Sequence, residues 1–378
     1  MKKLAWENFP LPLIQVNPPD PVVFNEIIKQ AYLNGVFSNA AQLQTECSKL
    51  LSRHVSVNFD GYLASSNTSG LIACLLALNV RGRHVVLSNF TFAATLHAVI
   101  LAGGKPVLCD IDSRTLEMDK NSLSKIVNSN AFDIAAVMPT RVFGFINDHS
   151  ALIEICNSLN IPVVTDAAAS FPANENSWDF KAHSNYEVFS LHATKVFGIG
   201  EGGFVVGMSD SIASMKERAN FGLDSNGSLS YVDGINAKAD EFTAARALAR
   251  FSEYGVDVTL RQEFVKLYKR CFEDDARVQT ITDTEQTIYS YFPVIFRSEN
   301  DLQDFQQALK PYLLTRRYYY PTIQSGYKGD VEIKAGNSLE ISESIARRIL
   351  CLPVYVSFEK DLEIKLEELI RAGLRSFE

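Results

Sequence analysis

Lys195 stands in an unusual neighbourhood for a charged residue: Phe189-Ser190-Leu191-His192-Ala193-Thr194-Lys195-Val196-Phe197-Gly198-Ile199-Gly200-Glu201-Gly202-Gly203-Phe204. Most lysines are solvated surface charges, but here apolar residues flank the side chain on both sides. Desolvation penalises an ammonium ion, so such a lysine tends to lose its proton and offer a nucleophilic amine to a carbonyl. A second candidate, Asp166, ends the apolar run Ile161-Pro162-Val163-Val164-Thr165 and leads into Ala167-Ala168-Ala169-Ser170. Taken alone it also reads as a capping or turn aspartate. At the carboxyl end of a parallel strand, however, it would lie where α/β sheets hold their ligands.

A lysine and a buried carboxylate together suit pyridoxal phosphate. That cofactor needs an amine for its aldehyde and an acid to keep its ring nitrogen protonated, so that the ring can withdraw electrons. Its phosphate needs hydroxyls and backbone N–H groups, ideally at a helix N-terminus. The segment Leu63-Ala64-Ser65-Ser66-Asn67-Thr68-Ser69-Gly70-Leu71 has the form of such a strand-to-helix turn, although small polar turns are also ordinary helix caps. Ser190 is a second hydroxyl for the phosphate, or a structural strand residue.

These residues need a scaffold, and the patterning between residues 55 and 210 supplies one. Apolar runs at His84 to Leu87, Pro106 to Asp110, Ile134 to Met138, Ile161 to Asp166, Val188 to Leu191 and Phe204 to Gly207 read as strands buried on both faces. Helical segments near Ser69 to Leu78, Ala93 to Ala102, Asn121 to Val127 and Ser150 to Leu159 alternate with them, which predicts a mostly parallel α/β sheet. From about Asp240 the texture becomes helical, Glu241 to Tyr254 and Leu260 to Phe272. Strands at Tyr291 to Phe296 and Ile349 to Tyr355 and helices at Glu299 to Leu309 and Glu359 to Arg371 then follow. The expected division is a large domain over 1–240 and, over 241–378, a connecting helix or helix pair with a smaller α+β domain.

The 378 residues carry a net charge of −8, which disfavours broad nucleic-acid binding. No apolar run approaches membrane-spanning length, and the start Met-Lys-Lys-Leu-Ala-Trp-Glu lacks the apolar stretch of a signal peptide, so a cytoplasmic protein is expected. Six scattered cysteines, with no C-x-x-C pair, read as core residues rather than disulfides or zinc ligands. His54, His84, His97, His149 and His183 show no metal-ligand spacing.

The F-S-L-H-A-T-K…G-E-G-G block resembles the S-F-H-x-T-K…G-E-G-G signature of the DegT/DnrJ/StrS family of pyridoxal-phosphate-dependent sugar aminotransferases, and the resemblance runs from about Ile28 to Ile370. It implies a fold-type I transferase, with a mixed, mostly parallel seven-stranded sheet. It also implies that Lys195 holds the cofactor and moves the proton, that Asp166 pairs with the ring nitrogen, and that Ser190, Asn67 and Thr68 serve the phosphate. Asn67 stands where the family's S-G-T-x-A-L turn has glycine. Asn89-Phe90-Thr91-Phe92-Ala93-Ala94-Thr95 resembles the segment whose aromatic stacks on the ring, pointing to Phe92, although core packing is an equal reading. Gly234-Ile235-Asn236 resembles the family's G-[YF]-N, whose Asn236 would reach the phosphate of a neighbouring subunit, making the active site a homodimer property.

Two departures stand out. Ala169 replaces the usual Gln or His, leaving Ser170, a water or nothing to meet the cofactor's phenolic oxygen, and Arg141 replaces a histidine in Pro139-Thr140-Arg141-Val142-Phe143-Gly144. Arg316, Arg317 and Tyr320, within Arg316-Arg317-Tyr318-Tyr319-Tyr320-Pro321, suit a nucleotide-linked substrate or a solvated domain edge. His192 could orient a substrate hydroxyl or simply pack. The expected reaction moves an amino group from L-glutamate to a nucleotide-linked keto sugar. The resemblance points to dTDP-4-dehydro-6-deoxyglucose at carbon 4, for O-antigen or other surface polysaccharide, with carbon-3 and UDP-linked sugars as alternatives. A sugar dehydratase is disfavoured by Lys195, and a non-catalytic regulator by the absence of a basic DNA-binding segment.

Overall fold

The computed structural model describes residues 3–5, 10–39, 41–172, 184–273, 275–279 and 281–375; His183 and most of the stretch Met1 to Glu7 lie outside them. Seven strands build the main sheet: β1 (Asp60–Ala64), β2 (His84–Ser88), β3 (Lys105–Cys109), β4 (Ile134–Met138), β5 (Val164–Asp166), β6 (Tyr186–Ser190) and β7 (Gly203–Gly207). Their order is β1-β7-β6-β5 in one ladder and β4-β2-β3 in the next. The ladders join through parallel bridges Val137 to Val163 and Thr140 to Asp166, so the sheet is continuous. Only β7 runs against its neighbours β1 and β6. The carboxyl ends of β1, β2, β4, β5 and β6 and the start of β7 therefore share one edge. This is the expected mixed, mostly parallel seven-stranded sheet.

Apolar side chains on both faces explain why these runs become strands. Val85 and Leu87 pack on one face with the helices Asn67–Ala77, Ala93–Leu101 and Ser209–Ala219. Val86, Val107 and Val137 pack on the other, with Lys120–Val127 and Ser150–Ser158. The expected strand from Ile161 is shortened to Val164–Asp166. Pro162 has no N–H to donate, and the Val163 N–H bonds the Asn185 side chain instead, at 2.8 Å. All six cysteines are buried, as small hydrophobes. Among the described residues, no helix is long and apolar enough to cross a membrane.

The two helical segments expected after Asp240 form one helix, Glu241–Phe272, of 32 residues. Gly255 lies within it and faces open space, so its missing side chain leaves no hole. The buried Arg250–Asp257 ion pair and the buried Tyr254 and Val258 carry one continuous face across the glycine. Beyond it, β8 (Val278–Gln279), β9 (Phe292–Phe296) and β11 (Ile349–Leu352) form a small antiparallel sheet, while the two-residue β10 (Lys334–Ala335) pairs with β3. The last strand stops at Leu352 rather than Tyr355, because Pro353 follows. A shared core links this sheet to Phe90, Val142 and Phe143 beside the main sheet.

The long helix also closes another helix. Gln42–Val55 has Ala41 at its N-cap, which offers no side-chain acceptor. The buried Glu241 carboxylate takes its place, accepting the Leu43 and Gln44 N–H groups at 2.9 and 3.0 Å. Glu241→Gln keeps the shape but gives up the charge on those bonds, so it should lower the denaturant midpoint by the equivalent of about 1–2 kcal/mol. An unchanged unfolding curve would refute this capping role.

Candidate active site

Asp166 is the last residue of β5 and Ser190 the last of β6, so strand geometry alone brings both to the shared edge. Lys195 follows in the turn between β6 and β7. Its own N–H bonds the His192 carbonyl at 2.8 Å. Gly198 completes that turn: a side chain there would meet the Ala193 and Lys195 carbonyl oxygens at 2.7 and 2.8 Å. The three residues line one cavity of about 390 Å3, together with Asn67, Thr68, Phe92, His192 and Arg316.

Burial sets the electrostatics. It lowers the affinity of Lys195 for its proton, a shift that the nearby Asp166 charge opposes. It raises that of Asp166, opposed by hydrogen bonds from Thr95, Ala168 and Asn67 and by the Lys195 cation. Two opposite charges thus face each other in a desolvated cleft, each costly alone and each opposing, without cancelling, the other's loss of charge.

The turn before the helix Asn67–Ala77 is a complete capping box: Ser66 Oγ accepts the Ser69 N–H at 3.1 Å, and Ser69 Oγ accepts the Ser66 N–H at 3.1 Å. The N–H groups of Asn67 and Thr68 have no protein acceptor among the described residues. They sit at the positive end of the helix dipole, at a cavity that Ser190 and Thr68 also line. Ser190 Oγ accepts the His192 N–H at 3.3 Å and keeps its own proton to donate. Gly203 lets β7 start directly against this turn; a Cβ there would lie 2.3 Å from the Ser66 carbonyl.

Phe92 is 56% exposed, so it is a wall of the cavity and not a core residue. His192 Nδ1 accepts the Thr194 N–H at 3.2 Å, which leaves the proton of the neutral ring on Nε2, 3.6 Å from Glu201. Glu201, within the quoted G-E-G-G run but given no role there, also lines the cavity. Arg316 lies over the Tyr318 ring and borders both this cavity and an adjoining one of about 370 Å3. Arg317 and Tyr320 line only the adjoining one, and Arg317 is tied to Glu299 at 2.8 Å and stacked over Tyr320. Asn236 is exposed, bridged to Asn220, and does not line the cavity of its own chain.

Ser170 is fully buried and does not line the cavity, so it does not stand in for the side chain missing at Ala169. Arg141 is buried in an ion pair with Glu187 at 3.6 Å and hydrogen-bonds the Asn147 carbonyl. Its peptide N–H also bonds the Asp166 carbonyl at 2.9 Å, fixing the backbone that carries the carboxylate. Tyr319, which no motif singles out within its cluster, lines the cavity, and the Asp166 charge adds to the burial that raises its phenol's proton affinity.

Residues 26–367 match the model of the DegT/DnrJ/EryC1/StrS aminotransferase family. The chain belongs to that family. It is 27% identical over 359 residues to the dTDP-4-amino-4,6-dideoxy-D-glucose transaminase of Shigella dysenteriae, covering 93% of this chain and 96% of the relative. It is 26% identical to the UDP-2-acetamido-2-deoxy-3-oxo-D-glucuronate aminotransferase of Pseudomonas aeruginosa, over 77% of this chain and 80% of that one. The crystal structure of DesI with its TDP-sugar product shares the fold, with a TM-score of 0.84 at 24% identity over 97% of this chain and 93% of that one. This aminotransferase is a pyridoxal-phosphate-dependent sugar transaminase. Its residues fit the cofactor: unpartnered N–H groups stand at a helix N-terminus where a phosphate would bind, and a buried acid and a desolvated lysine share the cavity.

Two outcomes are expected. Gly203→Ala should push the Ser66–Asn67 turn outward and weaken cofactor affinity about tenfold or more, read by titrating apoprotein with cofactor; wild-type affinity would contradict the close approach. Asp166→Asn should abolish transamination yet raise the thermal midpoint of the apoprotein at neutral pH. The folded carboxyl holds its proton more tightly than the unfolded one, so its burial cost is present above the folded pKa and gone below the unfolded pKa. The advantage of Asp166→Asn should therefore vanish as the pH falls toward the ordinary carboxylate range. An advantage independent of pH would argue against a buried charge.

Proposed function

We propose that this enzyme transfers the amino group of L-glutamate to a nucleotide-linked keto sugar, and that the acceptor is dTDP-4-dehydro-6-deoxyglucose, aminated at carbon 4. The observation that carries the reading is the meeting of Lys195, Asp166 and the N-terminus of the helix Asn67–Ala77 in one cavity. When bound, pyridoxal phosphate supplies an electron sink that makes the α-proton of an amine removable and stores the amino group between the two half-reactions. Thr68, Ser190 and the Asn67 and Thr68 N–H groups would hold its phosphate, Asp166 its ring nitrogen, and Phe92 one face of its ring.

Lys195 carries the proton transfers. Its desolvation favours the neutral amine, so its Nζ can take the α-proton of the amino donor and later deliver a proton to the sugar carbon. His192, held by Thr194, faces the same space and suits a sugar hydroxyl. Arg316, shared by both cavities, and Arg317 and Tyr320 in the adjoining one suit the diphosphate and base of the nucleotide. The Shigella dysenteriae relative, matched over nearly its whole length, supports the dTDP sugar over the UDP sugar of the partly matched Pseudomonas aeruginosa relative. Asn236, exposed and away from its own cavity, suits a partner's phosphate site in a homodimer. The proposed division of labour puts cofactor binding in residues 1–240 and substrate closure in 241–378.

Purified enzyme should lose its visible cofactor absorbance on addition of L-glutamate and regain it with dTDP-4-dehydro-6-deoxyglucose, but not with UDP-linked 3-keto sugars. Recovery with the UDP sugar alone would move the substrate assignment, and no loss with any amino acid would remove the transaminase reading. Lys195→Ala should lower the rate of the glutamate half-reaction by about a thousandfold or more, and a wild-type rate would displace Lys195 from its role.

A further inference from the structure

The carboxylate of Asp166 is the end of a chain of buried hydroxyls. Thr95 Oγ1 lies 2.7 Å from Asp166 Oδ2, Thr91 Oγ1 lies 2.7 Å from Thr95 Oγ1, and Thr140 Oγ1 lies 2.8 Å from Thr91 Oγ1. All three threonines are buried. The other oxygen, Oδ1, accepts the Asn67 Nδ2 at 3.3 Å and the Ala168 N–H at 3.2 Å, and Asn67 Nδ2 also donates to the Val188 carbonyl at 3.0 Å. The three hydroxyls come from the end of β2, the first turn of the helix Ala93–Leu101 and the extension of β4, so only the folded sheet edge brings them together.

The chain has a direction. A hydroxyl has one proton to give, and a carboxylate has none. With Asp166 ionised, Thr95 must donate to it, so Thr95 can only accept from Thr91, and Thr91 from Thr140. Every proton then points toward the carboxylate, and each bond polarises the next. With Asp166 protonated on Oδ2 and donating to Thr95, the bond between them reverses and the chain no longer delivers a proton to the acid.

We propose that Thr95, Thr91 and Thr140, with Asn67, are positioning residues that hold the Asp166 carboxylate ionised and aimed, so that the proton shared with the cofactor's ring nitrogen stays on the nitrogen. This rests on the cofactor reading given above and adds residues to it. Asn67, for which the resemblance implies a phosphate role, contributes its backbone there and its side chain here. The other groups facing Asp166 are Lys195, whose cation acts in the same sense, the Tyr319 phenol, and Arg141, whose peptide N–H bonds the Asp166 carbonyl while its side chain pairs with Glu187.

The test uses holoenzyme loaded with cofactor labelled with 15N in the ring, whose chemical shift reports whether that nitrogen carries the proton. Wild-type enzyme should give the protonated shift. Thr95→Val should move it most of the way to the unprotonated value, Thr91→Val less, Thr140→Val least, and Thr95→Ser should restore it. A 13C titration of the Asp166 carboxyl in apoprotein should show its midpoint raised by about one pH unit in Thr95→Val, a tenfold tighter proton, and unchanged in Thr95→Ser. Unchanged 15N shifts in all three valine variants, or a Thr140→Val effect as large as that of Thr95→Val, would overturn the proposal. The apoprotein titration decides for any variant that no longer holds the cofactor. Failure of the wild-type protein to bind cofactor at all would instead overturn the reading on which the proposal rests.

Discussion

Asp166 and Lys195 are opposite charges held beside one cavity at the sheet edge, and much of the surrounding structure makes that arrangement tolerable. A buried carboxylate without partners would take up a proton, and a buried ammonium would lose one. Here the carboxylate receives a hydroxyl, an amide and a peptide N–H, and the lysine receives the carboxylate's field. Burial still draws the carboxyl toward its acid form and the ammonium toward its amine. For a lysine that must alternate between amine and ammonium this balance is a working condition, whereas a fully stabilised ion pair would be inert.

The sheet order explains how the balance is assembled. β5 and β6 are adjacent and parallel, so Asp166 and Ser190 emerge on the same edge; β1 is parallel to β6 through β7, so the turn at Ser66 emerges there too. β7 must return against them, and it begins at Gly203 because a side chain would strike Ser66. A single reversed strand thus carries the chain from Lys195 back across the sheet while leaving the helix N-terminus open to an anion. The long helix Glu241–Phe272 adds to this only at a distance, by capping Gln42–Val55 and by sharing core with the small sheet that bears Arg316 and Arg317 at its margin.

What could be read from the chain followed from where its chemistry is local. The strands β2 to β7 are mostly apolar because both faces are covered, and Lys195, Asp166 and Ser190 are recognisable because strand ends and their following turns are contiguous in sequence. The helix Pro21–Asn34 leaves little trace in the sequence because it buries only Ile28 and Ala31, too few to make a stripe. Phe92 was ambiguous because a phenylalanine has the same letter in a core and in a cavity wall, and only its 56% exposure separates the two. Ser170 looked able to replace the side chain missing at Ala169, but one step along this turn points it into the core.

The threonines mark the limit of that reading more sharply. Thr91 and Thr95 lie in the block around Phe92 and Thr140 in the one around Arg141, but nothing in the chain ties these hydroxyls to one another, since a hydroxyl in a strand extension or a first helical turn is ordinary and 45 residues separate the last two. Only the parallel pairing of β4 with β2 brings Thr140 to Thr91, and only the helix following β2 turns Thr95 toward the end of β5. The polarity of the wire then follows from proton counting alone. A fold that needs a buried acid to stay ionised gains more from such a one-way chain than from a second cation, because hydroxyls stabilise the carboxylate without competing with the protonated ring nitrogen for it. Arg141 illustrates the alternative: it is a permanent cation lining the same cavity, its side chain pairs with Glu187, and its peptide N–H bonds the Asp166 backbone carbonyl. The carboxylate that must meet the cofactor is thereby left with hydroxyl and amide donors, and with Lys195 as the charge that can come and go.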